Sequence, residues 1–451
     1  MFIGRTFLLC LVSTSLFAAC DDDADPIDPD TELRALLVQA DVAPMELSTP
    51  DPKLVALGEA LFFDKILSGN KDTACASCHH PLAASGDDLT LPFGTGSEGI
   101  GADRELGAGR EIVPRNAPEV FNRGAKGWTT MFWDNRIMTK PTLISPAGSA
   151  LPATLNDASP VAIQAMFPVT SDAEMRGNAG DLDVFGEVNE IANIDADDVT
   201  GIWAALMVRV LAIPEYETLF ADAFPQVASP DFSHAALAIG AYEEFAFAFA
   251  DSPFDQYIAG DNSALSDRQK RGATLFYGKA GCATCHSGPL MTDQLTHNVA
   301  SPQVGPGKEA SDSPDVGQDF GAMAVTGMEA DRYAFRTPPL RNVEITGPWT
   351  HAGAYTSLEA VVRHELNPEA GLRNYDPSQL IAFFQDEVFS DQGFIDTAIA
   401  GIDVLSLGYE PLSEEEIGDL VEFLNSLTDP AAKDLSGLTP ATVPSGLPVD
   451  L

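Results

Sequence analysis

Apolar positions along this chain recur at helical rather than strand spacing. Ile417, Leu420, Val421, Leu424 and Leu427 fall on one face, and Ser413 with Glu416 forms an N-terminal capping box, so a helix is predicted over 417–427. Further helices are predicted over Val199–Leu211, which stops before Pro214, over Glu215–Phe224, and over the alanine- and phenylalanine-rich run His234–Ala250. Two more share a local pattern. Leu57-Gly58 is followed by Leu61-Phe62-Phe63, and Arg271-Gly272 by Leu275-Phe276-Tyr277, the second launched by Ser266 with Gln269 three residues on. No stretch alternates convincingly as a strand does. Long Gly-, Pro- and Asp-rich segments lie between, notably Leu89–Val113, Met138–Ser159 and Ala300–Asp319. The pattern predicts a mostly α protein with long irregular loops and an internal repeat.

Each copy of the repeat leads into the same chemistry. Cys75-Ala-Ser-Cys78-His79 follows the first and Cys282-Ala-Thr-Cys285-His286 the second, both C-x-x-C-H, the attachment signature of c-type haem. Two thiols one turn apart each form a thioether to a haem vinyl group, and the histidine that follows is carried under the ring as an iron ligand. A zinc ribbon closes over a loop of about 15–20 residues, whereas most of the chain separates Cys78 from Cys282, and a redox dithiol needs a βαβ context that the flanks do not offer. Two haem c groups are the expected cofactors, and the long loops are suited to wrapping their edges.

The other cysteines, Cys10 and Cys20, lie at the N-terminus. Residues 1–19 carry an early Arg5, an apolar run through Phe17 and small residues at Ala18 and Ala19, which reads as a secretory signal too short to span a membrane. Cys20 resembles the lipobox cysteine of bacterial lipoproteins, with ordinary signal cleavage as the alternative, so the chain reads as an exported, periplasmic protein anchored by lipid at Cys20. Every remaining cysteine belongs to a haem motif, which leaves no pair for a structural disulfide. Residues 20–45 open on an Asp- and Pro-rich run and read as an acidic tether, with folded structure beginning near Pro44. Over the full chain 25 Lys and Arg stand against 67 Asp and Glu, a net charge of −42, which argues against nucleic acid and anionic lipid surfaces as partners and reads either as solubility or as steering of a basic redox partner toward the protein.

From Asp51 to Asp429 the chain resembles the bacterial di-haem cytochrome c peroxidase family, which includes the MauG-type enzymes. The likeness rests on Leu57-Gly-Glu-Ala-Leu-Phe-Phe-Asp64, both C-x-x-C-H motifs, Pro114-Arg-Asn-Ala-Pro118, Phe132-Trp-Asp134 and Glu174-Met175. In the second half it rests on Phe254-Asp255, Ala264-Leu265-Ser266, Leu340-Arg-Asn342, Gly347-Pro348 with His351, and Leu358-Glu359. The resemblance implies two class I cytochrome c-like domains, a peroxidatic one over 46–250 and an electron-transfer one over 251–435, followed by a tail over 436–451. It implies that hydrogen peroxide is reduced at the haem of His79, with Glu174 as the acid–base carboxylate and Gln164 and Pro168 beside it. A carboxylate there can move a proton between the two peroxide oxygens as their bond breaks. It also implies that Trp133 relays electrons between the haems and that calcium binds at Asn116 with the carbonyls of Thr337 and Pro339. The implied donor is a small cytochrome c or cupredoxin, and a homodimer is compatible. A MauG-like oxidase of a protein or small molecule is the second reading, and a non-catalytic electron carrier the third.

Two departures from the family pattern matter. Many family members place a histidine after the first motif that closes the first iron, but residues 82–115 contain none, so that iron is expected to be open at rest. The far ligand of the second haem is usually Met or Tyr at a position that falls here on Glu365, beside His364. Histidine is the better iron ligand, so His364 is expected to fill the role, with Glu365, Met328 and Met323 as alternatives. His351 is expected near a haem edge, and His234 and His297 in structural roles.

Overall fold

The computed structural model describes residues 29–138, 151–309 and 313–450. The signal segment, Cys10 and Cys20 lie outside these residues, as does most of the Met138–Ser159 loop. Among the described residues the chain is mostly helical, and its only strands are two two-residue antiparallel pairs, Thr130–Met131 with Ile137–Met138 and Thr296–His297 with Phe335–Arg336.

The repeat is built as one helix crossing, made twice. In the first half Pro52–Phe63 packs against Phe232–Ala246, and in the second Asp267–Tyr277 packs against Glu414–Asn425. Glycine sets both crossings: a Cβ on Gly58 would lie 1.9 Å from the carbonyl oxygen of Ala238, and one on Gly272 would lie 1.9 Å from that of Asp419. An aromatic one turn on from each glycine closes the pair, with Phe62 5.2 Å from Tyr242 and Phe276 5.2 Å from Phe423 between ring centroids. Both capping boxes form, Ser266 with Gln269 and Ser413 with Glu416. The helix expected over Glu215–Phe224 spans Pro214–Ala223 and the one expected over His234–Ala250 spans Phe232–Ala246, because Asp231 rather than a later residue caps it.

The first and last described segments each pack on the opposite half. The tether reading of 20–45 is corrected over Pro29–Gln39, which is a helix whose Leu33 and Leu37, four residues apart, join the core of the second half. Asp30 fixes it there through Lys270 at 2.9 Å and the hydroxyl of Tyr257 at 2.9 Å. The segment 436–451 returns to the first half instead of trailing free. Val443 and Leu447 are buried in that core, Ser445 donates to Asp64 at 2.6 Å, and Asp450 meets Lys65 at 2.6 Å, the Ser77 hydroxyl at 3.0 Å and, through its carbonyl, His80 at 3.2 Å. The strap thereby braces the turn that carries Cys75 and Cys78.

The two halves meet over a third core, where Leu89, Leu91 and Phe93 pack on Val304, Ala354, Tyr355 and Phe384. Beside it Arg115 makes a two-pronged pair with Asp319, at 2.6 and 2.8 Å, and a further pair with Asp134 at 2.6 Å. This pins the Ala300–Asp319 loop of the second half against the first.

Candidate active site

Two large cavities, with empty volumes of about 1300 and 1570 Å³, occupy the two halves. Cys75, Cys78 and His79 line the first; Cys282, Cys285 and His286 line the second. The local cause is the same in each. Cys75–Ser77 and Cys282–Thr284 are single 3₁₀ turns, closed by His79 N–H to the Cys75 carbonyl at 3.0 Å and His286 N–H to the Cys282 carbonyl at 2.9 Å. The turn brings both sulfurs and the imidazole to one wall. Nδ1 of His79 faces the Ser85 carbonyl at 3.3 Å and Nδ1 of His286 the Met291 carbonyl at 3.0 Å, which commits that nitrogen as the protonated one and leaves Nε2 unprotonated for a metal. Burial lowers both imidazole pKa values and keeps the neutral, ligating form.

Gln164, Pro168 and Glu174 converge on the first cavity. Gln164 ends the short helix Pro160–Gln164, Pro168 opens a 3₁₀ turn, and Glu174 sits in a π turn, Asp172–Arg176, whose first N–H groups are capped by Ser171. Among the described residues the Glu174 carboxylate has no hydrogen-bond partner, and it lines the cavity. Burial raises its pKa, against the pull of Arg136 and Lys308. Lys308, the sole basic residue in the Ala300–Asp319 loop, reaches this cavity from the other half, and burial with Arg115 and Arg136 beside it lowers its pKa to about 8. Sequence reasoning missed it, although a lone lysine in so acidic a loop was a signal.

All seven histidines are described, and His79 is the only one on the walls of the first cavity. His80 is turned away, accepting from Leu82 N–H at 3.1 Å and bonding the Asp450 carbonyl, while His234 pairs with Asp231 at 2.9 Å. His297 lies between Asp293 at 2.9 Å and Asp403 at 2.6 Å. Donating to Asp293, the Cys285 sulfur and Asp403 keeps it protonated, with a pKa of about 11.

The wall between the cavities is shared by Asn116, Pro118, Glu119, Arg123, Trp133 and Arg336. Trp133 is held there by Nε1–H to the Asn116 carbonyl at 3.0 Å. Arg336 hydrogen-bonds only backbone carbonyls among the described residues, those of Phe132 at 3.1 Å and Thr337 at 3.4 Å, and burial with Arg123 nearby lowers its pKa to about 9. Nη1 of Arg123 and Nε of Arg136 have no protein partner. Buried donors left unanswered beside two cavities match the propionate groups that a porphyrin carries. His351 is also on the second cavity's wall, stacked on Phe335 at 3.5 Å with neither ring nitrogen bonded to protein, as expected of a group near a haem edge.

The expectation for His364 is corrected. Its Nδ1 meets the Tyr355 hydroxyl at 2.8 Å and its Nε2 the Val299 carbonyl at 2.9 Å, so both nitrogens are engaged and the ring is off the cavity walls. Met323 and Met328 are off those walls too, and Met328 is on the surface. Glu365 is on them with its side chain open to the cavity, and the apolar wall around it raises its pKa to about 7.

Asn116, Thr337 and Pro339 all line the second cavity. Asn116 donates its amide to the carbonyls of Leu89 at 3.0 Å and Thr90 at 3.3 Å, which leaves Oδ1 without a protein donor. The Thr337 carbonyl already accepts from the Thr292 hydroxyl at 2.6 Å and from Arg336, so it does not fit a calcium ligand in this arrangement.

Two cavities, each with a pair of thiols and a free imidazole nitrogen on one wall, define a protein that carries two covalently attached haems. The match to known proteins makes this specific. Residues 52–263 match the family model described as di-haem cytochrome c peroxidase. The chain is 32% identical over 357 residues to the methylamine utilization protein MauG of Methylorubrum extorquens, covering 78% of this chain and 80% of that one. It is also 32% identical over 331 residues to the cytochrome c551 peroxidase of Pseudomonas aeruginosa, covering 72% and 76%. Among solved structures it superposes on a MauG-like protein associated with microbial copper homeostasis with a TM-score of 0.59 and 25% identity, over 87% of this chain and 95% of that one. The fold of the dihaem peroxidase BthA of Burkholderia thailandensis also matches, with a TM-score of 0.57. The chain belongs to the di-haem cytochrome c peroxidase family and is a haem c oxidoreductase of the peroxidase class.

Proposed function

We propose that this protein reduces hydrogen peroxide to water in the first cavity, using electrons that a small cytochrome c or cupredoxin delivers at the second. The observation that carries the reading is a carboxylate, Glu174, with no partner among the described residues, on a cavity that Gln164 also lines and that holds no histidine other than His79. A haem bound by Cys75, Cys78 and His79 would supply the iron that binds peroxide and passes electrons to it. The side chains supply the rest. Glu174 takes the proton from one peroxide oxygen and returns it to the other, which leaves as water as the bond between them breaks. The Gln164 amide orients the bound peroxide, and Pro168 and Val169 close the wall against bulk water. Two electrons and two protons convert each peroxide to two waters. Trp133, common to both cavities, is the relay between them. The two halves act as cytochrome c-like domains, with boundaries near 46–250 and 251–435.

Export follows from the N-terminal segment, and a lipid anchor at Cys20 belongs to the same proposal, as does pairing into a homodimer. A calcium ion at Asn116 and Pro339 would have to compete with Thr292 and Arg336 for the Thr337 carbonyl, so no step is drawn through it. A second reading, a MauG-like oxidase acting on a protein or small molecule, is favoured by the likeness to MauG and by the missing closing histidine. Turnover separates the two. The holoprotein mixed with hydrogen peroxide and reduced small cytochrome c should oxidise the cytochrome catalytically; rapid reaction with peroxide but no turnover with any small donor selects the second reading.

A further inference from the structure

The helix Leu358–Leu366 turns one stripe to the second cavity. Leu358, Val361, Val362 and Glu365 are spaced as one helical face, and all four line the cavity, while His364 points elsewhere. The stripe is aliphatic except for the last residue. Its side chain is exposed to the cavity rather than sealed in the wall, so its charge is open to a group that answers it. Nothing in the described protein does: Glu365 accepts no hydrogen bond, forms no ion pair, and no cationic side chain acts on it. The cations of this cavity are already used, with Arg123 paired to Glu119, His297 held between Asp293 and Asp403, and Arg336 turned to the wall shared with the first half.

We propose that the Glu365 carboxylate is the second protein ligand of the iron carried by His286. The proposal rests on the reading that this cavity holds a haem. The lining residues offer few rivals. Tyr409 is bonded to the Thr284 hydroxyl at 3.0 Å and to the Leu405 carbonyl at 2.7 Å, on the same side as the C-x-x-C-H turn. His351 lies flat on Phe335 in the neighbourhood of Arg115 and Asp319, toward the junction of the halves. No methionine lines the cavity. An anionic oxygen ligand favours the ferric state more than a neutral thioether does, so the second haem has a lower potential than a His/Met centre. Its donor must be a correspondingly stronger reductant.

The test uses the holoprotein with both haems attached, confirmed by intact mass, and compares wild type with Glu365→Leu, Glu365→Gln, Glu365→Met and His351→Gln by EPR, magnetic circular dichroism and redox titration. Glu365→Leu should open the second iron, which then binds cyanide at least ten-fold more tightly than in wild type. Glu365→Met should convert it to a low-spin His/Met centre with a raised potential. Glu365→Gln should shift the ferric spectrum of the second haem, and His351→Gln should leave that haem's ligand signature unchanged. If Glu365→Leu and Glu365→Met match wild type in spectrum, cyanide affinity and potential, or if His351→Gln alone removes a ligand signature, the assignment is wrong. A mass showing one haem or none would instead overturn the underlying two-haem reading.

Discussion

Replacing Glu174 with glutamine keeps the shape of the side chain and removes its ability to carry a proton. The first cavity is lined by three carboxylates, but Glu119 pairs with Arg123, and Glu243 lies near Cys75, on the attachment side. Glu174 is the one beside Gln164 and Pro168, so no neighbour can substitute for it. General acid–base catalysis by a positioned group contributes roughly 10²–10⁴-fold. With no backup the loss should be about 10³-fold, or about 4 kcal/mol at 1.36 kcal/mol per factor of ten. Stopped-flow mixing of the holoprotein with peroxide measures it, and the ferric spectrum of the second haem serves as a control that should not move. The pH profile carries the sign. Glu174 must be ionised to take the first proton, and burial raises its pKa above the ordinary 4.5, so the wild-type rate should fall as pH drops through a value above 4.5. The glutamine variant's residual rate should lack that limb. A glutamine variant that reacts within threefold of wild type would refute the role given to Glu174.

Other consequences follow from the packing. Gly58→Ala and Gly272→Ala should each destabilise their own half by about 1–3 kcal/mol or more, because the added methyl meets a helix carbonyl that cannot retreat; denaturant titration monitored at each haem would read both. Removing residues 443–451 strips Val443 and Leu447 from the first core, at about 1.5–3 kcal/mol per side chain, and should lower the stability of the first half while leaving the second unchanged. His297→Gln should cost stability near neutral pH. A histidine whose pKa is raised by Asp293 and Asp403 contributes fully below its unfolded pKa of about 6.5 and loses that contribution as pH rises through the raised value, so the gap from wild type should narrow as pH rises above about 7.

Much of this was legible in the residues. Both C-x-x-C-H turns and the repeated Gly-Leu-Phe helix occupy short, contiguous motifs, and local motifs survive in a linear reading, whereas Gln164, Pro168 and Glu174 are implied only by the family resemblance. What was missed depends on contacts across hundreds of residues. Acidic composition hid the Leu33 and Leu37 stripe that docks Pro29–Gln39 on the second half, and a short Pro- and Gly-rich tail without periodicity concealed the strap that braces Cys75 and Cys78. His364 was preferred to Glu365 because imidazole is the better ligand in general. The helical spacing of Leu358, Val361, Val362 and Glu365 would have pointed the other way, and in the fold it decides which side chain faces the cavity.

The central claim is that the first haem is open without prior reduction, because no histidine faces His79. Stopped-flow mixing of the fully oxidised holoprotein with hydrogen peroxide, beside a sample given one electron beforehand, tests it most directly. The oxidised protein should react at once, at a rate within a few-fold of the half-reduced sample. An oxidised protein that stays inert until it receives an electron would contradict the account.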